Sequence, residues 1–251
     1  MIRVKNLDKS FNGKSVLTDI SVLFEPGKTN LIIGQSGSGK TVLLKSIVGL
    51  YEIDNGEIWY EDTLFNKLDF ADKKKIRSEI GMLFQGSALF DSLTVEQNVR
   101  FPLDMFTDSS PEEKNDRVNF CLNRVNITNA NKLFPAELSG GMKKRVAIAR
   151  AISLNPKYLF CDEPNSGLDP VTAIVIDDLI QELTEEYSMT TIVNTHDMNS
   201  VMEIGEKIVF IYEGKICWEG NKNEILNSDC KPLNDFVFAN SLAKKIKAAA
   251  G

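Results

Sequence analysis

A run of glycine and serine that ends in lysine and threonine is the first segment whose residue types could do chemistry. Residues 34–41 read G-Q-S-G-S-G-K-T, which matches the pattern G-x-x-x-x-G-K-[ST] and adds one more glycine inside it. Glycine lets backbone N–H groups curl around phosphate oxygens at unusual φ, with no side chain in the way. In this pattern the lysine reaches the β- and γ-phosphates and the hydroxyl ligates Mg²⁺. The predicted phosphate-binding residues are Gly34, Gln35, Ser36, Gly37, Ser38, Gly39, Lys40 and Thr41.

Two adjacent carboxylates form a second candidate group. The segment Y-L-F-C-D-E-P at 158–164 predicts a buried strand that ends at Asp162 and Glu163. An aspartate at the carboxyl end of such a strand holds Mg²⁺ through water beside the phosphate loop. The next carboxylate then lies where an attacking water sits, so Glu163 is the candidate general base. A polar turn with no chemistry explains D-E-P equally well by itself, but the phosphate loop upstream favours the catalytic interpretation.

His196 is the only histidine of the chain, and it follows a predicted strand, T-T-I-V-N-T at 190–195. Ligands of open α/β folds bind at the carboxyl edge of the sheet, which is where this position falls. A neutral imidazole could accept the proton of the attacking water, and an imidazolium could hold the γ-phosphate. The sequence leaves both roles open.

A second glycine motif, L-S-G-G-M-K-K-R at 138–145, also has the composition of an anion site. Ser139, Gly140 and Gly141 precede a helix-forming run, whose N-terminus favours negative charge. We interpret the basic residues that follow, 143–145, as the solvated start of that helix and not as phosphate ligands.

The elements that position these residues alternate between strand and helix. Strands are predicted at 2–7, 16–24, 29–33, 54–60, 158–161, 190–195 and 207–212. A helix after the phosphate loop stops near Gly49, and a helical subdomain is predicted at about 86–153, where Ser110 and Pro111 begin a capping box. Such alternation predicts an α/β fold with a mostly parallel sheet covered on both faces.

Composition limits the functional class. The chain has 251 residues and a net charge of −6, which argues against nucleic acid as the main partner. The cysteines at 121, 161, 217 and 230 form no C-x-x-C pair, so reduced thiols in a cytosolic protein are expected. No signal peptide and no run of about 18 apolar residues is found, so the chain is not expected to cross a membrane itself.

Taken together, these motifs resemble the nucleotide-binding subunit of ABC transporters. The resemblance covers residues 2–220, in the family's order: the phosphate loop, Gln85 after M-L-F, L-S-G-G, Y-L-F-C-D-E-P, S-G-L-D at 166–169 and His196. Phe11 falls where the family stacks an aromatic ring on adenine. The resemblance implies a P-loop NTPase fold with an N-terminal antiparallel β subdomain, the inserted helical subdomain and a C-terminal tail at 221–251.

The resemblance also implies roles that the single motifs do not. Gln85 would sense Mg²⁺ or the attacking water, and it would couple the helical subdomain to a membrane subunit. Ser139, Gly140 and Gly141 would clamp the γ-phosphate of an ATP bound by the opposite protomer, and Asp169 would cross the dimer interface. The implied assembly is a head-to-tail homodimer around two ATP and Mg²⁺, peripheral on the cytoplasmic face of the bacterial inner membrane and bound to permease subunits. Glu163, His196, Gln85 and Lys40 are the implied catalytic residues; Thr41, Gln85 and Asp162 are the implied metal ligands.

A finer resemblance is to the ATPases of Mla-type phospholipid-transport systems. It rests on F-Q-G-S-A-L-F-D-S-L-T-V-E-Q-N-V at 84–99 and on Met142, where most relatives have glutamine. Similar A-L-F patterns occur in amino-acid importers, so an importer of amino acids or other small solutes stays open. A cell-division protein that transports nothing is a third alternative. A translation or repair protein is disfavoured, because those carry tandem cassettes or long insertions. The tail at 221–251 is either a short helix that contacts the partner protomer or a disordered end.

Overall fold

Strands and helices alternate along residues 1–238, the part of the chain that this computed structural model describes. The tail prediction therefore lies partly outside the described residues, which end before residue 239. In chain order the elements are β1 (Ile2–Phe11), β2 (Lys14–Phe24), β3 (Thr29–Ile33), α1 (Lys40–Ile47), β4 (Asn55–Tyr60), β5 (Thr63–Leu64), α2 (Phe70–Ser78), β6 (Ile80–Leu83), α3 (Val95–Phe106), α4 (Pro111–Arg124), α5 (Gly140–Ala151), β7 (Tyr158–Asp162), α6 (Pro170–Glu186), β8 (Thr190–Thr195), α7 (Met198–Ile204), β9 (Lys207–Tyr212), β10 (Lys215–Gly220) and α8 (Lys231–Val237).

The elements group into two compact units. The first unit consists of residues 1–25, 29–67 and the described residues from 194 onward, and the second consists of residues 26–28 and 68–193. The chain passes from the second unit to the first within β8. The predicted limits of the ATPase domain and the tail stay predictions.

An antiparallel sheet in the order β2-β1-β4-β5 forms part of the first unit. Alternation of apolar and polar residues in β1 and β2 gives this sheet one buried face, on which Leu7, Leu17 and Phe24 are fully buried. Tyr60, at the end of β4, donates a hydrogen bond from its hydroxyl to the carbonyl of Ile47, 3.0 Å away, at the end of α1. This contact links the sheet to the helix that follows the phosphate loop.

Strand β3 of the same unit pairs in parallel with β9, and β9 pairs antiparallel with β10. All five residues of β3 are buried, including the polar Thr29 and Asn30, as expected for a short strand covered on both faces. The loop at 34–39 leaves the carboxyl end of β3 and leads directly into α1. The predicted order of strand, glycine loop and helix is therefore present.

The second unit pairs β6 in parallel with β7, from Ile80 opposite Tyr158 to Leu83 opposite Cys161. Helices α3, α4 and α5 all fall within the stretch predicted to be helical. The capping box predicted at Ser110 is present: the Ser110 hydroxyl accepts from the backbone N–H of Glu113, and the Glu113 carboxylate accepts from the N–H of Ser110. Helix α5 packs against α3, α4, α6 and β6, so it lies at the centre of this unit.

Candidate functional site

Glycine is required in the phosphate loop by backbone conformation and by space. The φ angles of Gly34, Gly37 and Gly39 are 152°, 83° and 108°, positive values that residues with a side chain disfavour. A Cβ at Gly34 would lie 2.4 Å from the carbonyl oxygen of Ile211 in β9, and one at Gly39 would lie 2.7 Å from Cδ2 of Leu17. The loop therefore curls with its backbone pressed against neighbouring strands.

The polar side chains of the loop are held close to its own backbone. The Lys40 Nζ donates to the carbonyls of Gly34 and Gln35, at 2.9 and 3.1 Å. The Ser38 Oγ is buried and has no hydrogen-bond partner among the described residues. A buried hydroxyl without a partner costs free energy, and a phosphate oxygen would supply that partner. The loop thus has the shape and the donors of an anion cradle.

Thr41 is fixed by a residue that the sequence motifs do not include. The side-chain amide of Asn194, at the end of β8, donates to the Thr41 Oγ1 at 3.0 Å. Asn194 itself is fully buried. The sequence signal for this residue is V-N-T-H at 193–196, where Asn194 lies two residues before His196 at the end of the predicted strand.

Phe11 and His196 also belong to the first unit. The Phe11 ring is 39% exposed at the end of β1, and it packs edge-on against Tyr51 with ring centroids 5.3 Å apart. The Lys9 Nζ lies 5.0 Å from the centre of the same ring. His196 is exposed between β8 and α7, at the carboxyl end of β8 as predicted.

The second unit brings Gln85, Asp162 and Glu163 to one sheet edge. Gln85 follows β6 and Asp162 ends β7, and the two strands are parallel neighbours. The Asp162 and Glu163 residues are 4% and 9% exposed, whereas Gln85 is exposed. Glu163 has φ of 51°, a left-handed conformation that is uncommon for a residue with a side chain. This backbone turns the chain sharply away from the strand directly after Asp162.

Lys144 lies between these residues, which corrects the expectation of a solvated helix start. It is only 4% exposed, and its Nζ donates to the backbone carbonyl of Gln85 at 2.6 Å and to that of Glu163 at 3.4 Å. Burial lowers the pKa of the Lys144 ammonium, while the carboxylates of Glu163 and Asp162 act in the opposite direction. The reason for the error is helical geometry: Lys144, Ile148 and Ala151 are spaced i, i+4, i+7 and therefore share the buried face of α5.

Arg150 of the same helix holds the next part of the glutamine-containing loop. Its guanidinium donates to the carbonyls of Ser87 and Ala88, at 2.9 and 2.8 Å, and lies 5.7 Å from the ring centre of Phe90. Ser87 and Ala88 both have positive φ, so the carbonyl positions are set by a tight turn. Burial lowers the pKa of Arg150 from its ordinary value. Helix α5 thus binds the loop at three carbonyls, those of residues 85, 87 and 88.

The L-S-G-G motif forms the start of α5. Ser139 is the N-cap, and its Oγ accepts from the backbone N–H of Met142 at 3.2 Å. Ser139 and Gly140 are exposed, and the positive end of the helix lies at these residues. Helix α6 begins nearby, because a Cβ at Gly141 would lie 2.7 Å from the Thr172 Cγ2.

Asp169 caps α6. Its carboxylate accepts from the backbone N–H and from the hydroxyl of Thr172, at 3.0 and 2.5 Å. The side-chain hydrogen bond from Thr172 is the main reason that the pKa of Asp169 lies below its ordinary value. In the single chain this carboxylate therefore has a local structural partner, and its predicted role at a dimer interface stays a prediction.

An apolar groove lies in the second unit, beside the loop that Arg150 holds. It has a volume of about 400 Å³, and its aromatic lining comes from Phe84, Phe90, Phe101 and Phe106. The rings of Phe90 and Phe101 are 4.7 Å apart. Asn98 of α3 shapes the groove wall: its amide accepts from the N–H of Phe90 and donates to the carbonyls of Phe90, Leu93 and Thr94. Asn98, the asparagine of the 84–99 pattern, therefore holds residues 90–94 in their loop conformation.

Each unit contributes its own set of predicted site residues. The first holds the phosphate loop, Phe11 and His196, and the second holds Gln85, the carboxylate pair, the L-S-G-G residues and Asp169. Lys144, Arg150 and Asn194 are additional residues that sequence reasoning missed. Within residues 1–238, no cluster of three or more histidine, cysteine or acidic side chains is arranged to hold a metal ion. No helix of the described part has the length and apolarity needed to span a membrane.

Known proteins are similar to this chain in sequence and in fold. Residues 17–166 match the family model described as "ABC transporter". The methionine import ATP-binding protein MetN of Clostridioides difficile (strain 630) is 37% identical over 242 residues, covering 96% of this chain and 75% of that protein. The probable ribonucleotide transport ATP-binding protein mkl of Mycobacterium leprae (strain TN) is 34% identical over 236 residues, covering 94% and 68%. A dimeric post-hydrolysis structure of the ATP-binding cassette MJ0796, bound to ADP and Pi, covers 88% of this chain and 99% of its own, with 34% identity and a TM-score of 0.80.

Proposed function

This chain belongs to the ABC transporter family as an ATP-hydrolysing subunit, and we propose that it drives phospholipid transport by a separate membrane permease. The family match and the structural similarity confirm the predicted ABC ATPase fold and the ATPase activity. The roles of individual residues, the assembly and the cargo are the parts that we propose.

In the proposed hydrolysis, the phosphate loop and Lys40 bind the β- and γ-phosphates. Glu163 accepts a proton from the attacking water, which requires its carboxylate to be ionised. Gln85 orients that water, and His196 contacts the water or the γ-phosphate from the end of β8. Two structural features support these roles: the cradle around Ser38 and the strained backbone at Glu163.

The oxygen donors present suit Mg²⁺, which the family implies. Thr41 supplies a hydroxyl, Asp162 a carboxylate and Gln85 an amide oxygen, and hard oxygen ligands are what this ion prefers. The hydrogen bond from Asn194 fixes the orientation of the Thr41 hydroxyl. When bound, Mg²⁺ neutralises charge on the phosphates.

Two copies of the chain form the working ATPase in this proposal. Ser139, Gly140 and Gly141 of one protomer complete the site built on the phosphate loop of the other. The exposure of Ser139 and Gly140 supports this role, because the start of α5 offers its N–H groups outward. Phe11, 39% exposed, is available to stack on adenine.

The apolar groove receives a helix of the permease, which places the ATPase on the cytoplasmic face of the bacterial inner membrane. Exposed aromatic rings in a concave surface suit an amphipathic helix that inserts apolar side chains. Phe84 and Ala88 line the groove and flank residues 85–87, so an occupant would contact both ends of the loop that contains Gln85. This position supports transmission of movement between hydrolysis and transport.

The cargo assignment rests on one observation, the 84–99 segment together with the groove it forms. The segment resembles that of Mla-type phospholipid systems, and Phe84 and Phe90 of the segment line the groove. The second candidate is an amino-acid importer, which the similarity to a methionine import ATPase favours.

Purification of the tagged chain from its native membranes in mild detergent tests both assignments. We expect integral membrane subunits to co-purify with bound phospholipid, detected by mass spectrometry. After reconstitution, phospholipid in the acceptor vesicles should depend on ATP. ATP-dependent uptake of methionine or another amino acid by the same complex, without lipid movement, would instead establish the importer.

A pair of phenylalanine variants tests the groove. Phe90→Ser should reduce the amount of permease that co-purifies, because the ring lines the groove whereas only its backbone bonds to Asn98. Phe120→Ser is the matched control, since Phe120 is 44% exposed compared with 42% for Phe90 but lies outside the groove. Equal recovery of the permease with both variants would contradict the proposed docking site.

A further inference from the structure

Two cysteines that are 13 residues apart in sequence meet at the surface of the first unit. Cys217 lies in β10, and Cys230 is the residue directly before α8. Their Sγ atoms are 2.9 Å apart. A disulfide has a sulfur–sulfur distance of about 2.05 Å, so the two thiols need to approach by only about 1 Å more. The two reduced thiols are therefore already close to the geometry of a disulfide.

The other two cysteines differ from this pair in their accessibility to solutes. Cys121 and Cys161 are fully buried, in α4 and β7 respectively. Burial raises the pKa of Cys121 to about 11 and raises that of Cys161 further, so thiolate at either position is scarce. Cys217 is exposed and Cys230 is partly exposed, so solutes reach this pair but not the buried thiols. Reactivity is therefore confined to one place on the described surface.

We propose that Cys217 and Cys230 are a redox modification site that forms a reversible intramolecular disulfide by exchange with small-molecule disulfides of the oxidised glutathione class. One thiolate attacks a sulfur of the small disulfide, giving a mixed disulfide and releasing the first thiol. The second cysteine loses its proton and attacks the protein sulfur of the mixed disulfide, which releases the second thiol. The protein pair is oxidised by two electrons, and the small disulfide is reduced to two thiols.

The disulfide would fasten α8 at its first turn. At present α8 is held by apolar contacts: Leu233 is fully buried, Val237 is 7% exposed, and the Phe236 ring lies 5.5 Å from that of Phe210 in β9. A covalent bond from the residue before α8 to β10 removes the opening motions in which the helix detaches from its start. Hydrogen exchange at residues 231–237 should consequently slow on oxidation.

The test uses the full chain, first reduced and then incubated with oxidised glutathione. Partial desolvation and the hydrogen bond with Cys230 raise the pKa of Cys217 to about 11, so the exchange is slow and incubation should last hours. We expect the intact protein to lose two hydrogen atoms in mass, and peptide mapping to show a 217–230 cross-link. The buried cysteines should be alkylated only after unfolding. Addition of excess thiol should restore the starting mass.

Three variants serve as controls. Cys217→Ser and Cys230→Ser should each accumulate one stable glutathione adduct without a cross-link, because the second thiol is missing. Cys121→Ala should still form the cross-link. The proposal is overturned if the unmodified chain collects glutathione adducts without a cross-link, or forms disulfide-linked dimers instead. Unchanged hydrogen exchange at 231–237 in the cross-linked protein would overturn the tethering of α8.

Discussion

At the scale of single residues, the backbone of Glu163 is the most informative feature of the carboxylate pair. A glutamate at φ of 51° is strained, and such strain persists where the surroundings hold it in place. Here the Glu163 carbonyl accepts from the backbone N–H of Ser166 at 3.2 Å and from the Lys144 Nζ. These two hydrogen bonds hold the backbone turn at Glu163, and the turn determines where the Glu163 carboxylate lies.

Replacement of this carboxylate by an amide should stop turnover without releasing nucleotide. Glu163→Gln keeps the size of the side chain but removes the base, so phosphate release should fall by about a hundredfold or more. ATP binding should persist, and the dimer should elute as a stable species in size-exclusion chromatography with ATP. Glu182→Gln is the control, at a side chain 64% exposed on α6. An undiminished rate in Glu163→Gln would exclude this residue as the base.

Removal of the Lys144 ammonium should lower both stability and rate. Lys144→Met keeps the aliphatic stem but removes the charged donor to the carbonyls of Gln85 and Glu163, and a hydrogen bond to a charged group is worth about 1.5–3 kcal/mol. We expect a lower free energy of unfolding in urea and a lower kcat. Lys143→Met, one residue earlier and only half-buried, should change neither. Equal loss in both variants would show that the ammonium has no special role.

At the scale of elements, the starts of α5 and α6 are packed against each other. Gly141 can have no side chain because the Thr172 methyl is too close, and Thr172 cannot simply rotate because its hydroxyl bonds to Asp169. The L-S-G-G glycine is therefore needed for helix packing, independently of any role in phosphate binding.

This packing predicts a specific rescue. Gly141→Ala should destabilise the chain by about 1–3 kcal/mol through overpacking, measured by urea unfolding. Thr172→Ser removes the obstructing methyl but keeps the hydroxyl, so the double variant should recover most of that loss. Gly140→Ala is the control, since its Cβ would lie 3.5 Å from Leu168, an ordinary contact. Failure of Thr172→Ser to restore stability would mean that the glycine is required for another reason.

At the scale of the whole molecule, the proposed assembly shares its active sites between two chains. Ser139→Arg should then block hydrolysis but leave ATP binding to the isolated chain intact, and Lys40→Ala should lack binding. A mixture of the two variants should regain ATPase activity, because one site of the mixed dimer combines an intact phosphate loop with an intact L-S-G-G segment.

The mixing experiment has its own internal control. Ser139→Ala removes only the N-cap of α5, which lowers the stability of the chain by about 1 kcal/mol. This variant therefore distinguishes the loss of the cap from steric hindrance of ATP by the arginine of Ser139→Arg. If the mixture of Ser139→Arg and Lys40→Ala stays inactive while mixed dimers form, or if Ser139→Arg alone cannot bind ATP, the shared-site assembly is wrong.

Much of this molecule could be predicted from its sequence, and the exceptions have physical causes. Glycine loops, strand ends and the capping box at Ser110 depend on a few consecutive residues, so their patterns were readable. Helix α2 has no counterpart among the predicted elements, because none of its residues is buried and no apolar period marks it. The burial of Lys144 and the meeting of Cys217 with Cys230 depend on how successive elements pack together, which spacing along the chain does not reveal.

The way α5 holds the glutamine-containing loop has a consequence for how such subunits diversify. Lys144 and Arg150 bind main-chain carbonyls of residues 85, 87 and 88, and none of these bonds involves a side chain of the loop. Side-chain substitutions in the loop that keep its backbone conformation therefore leave the attachment in place. A lineage can alter the surface it presents to a new membrane partner while inheriting the mechanical connection unchanged.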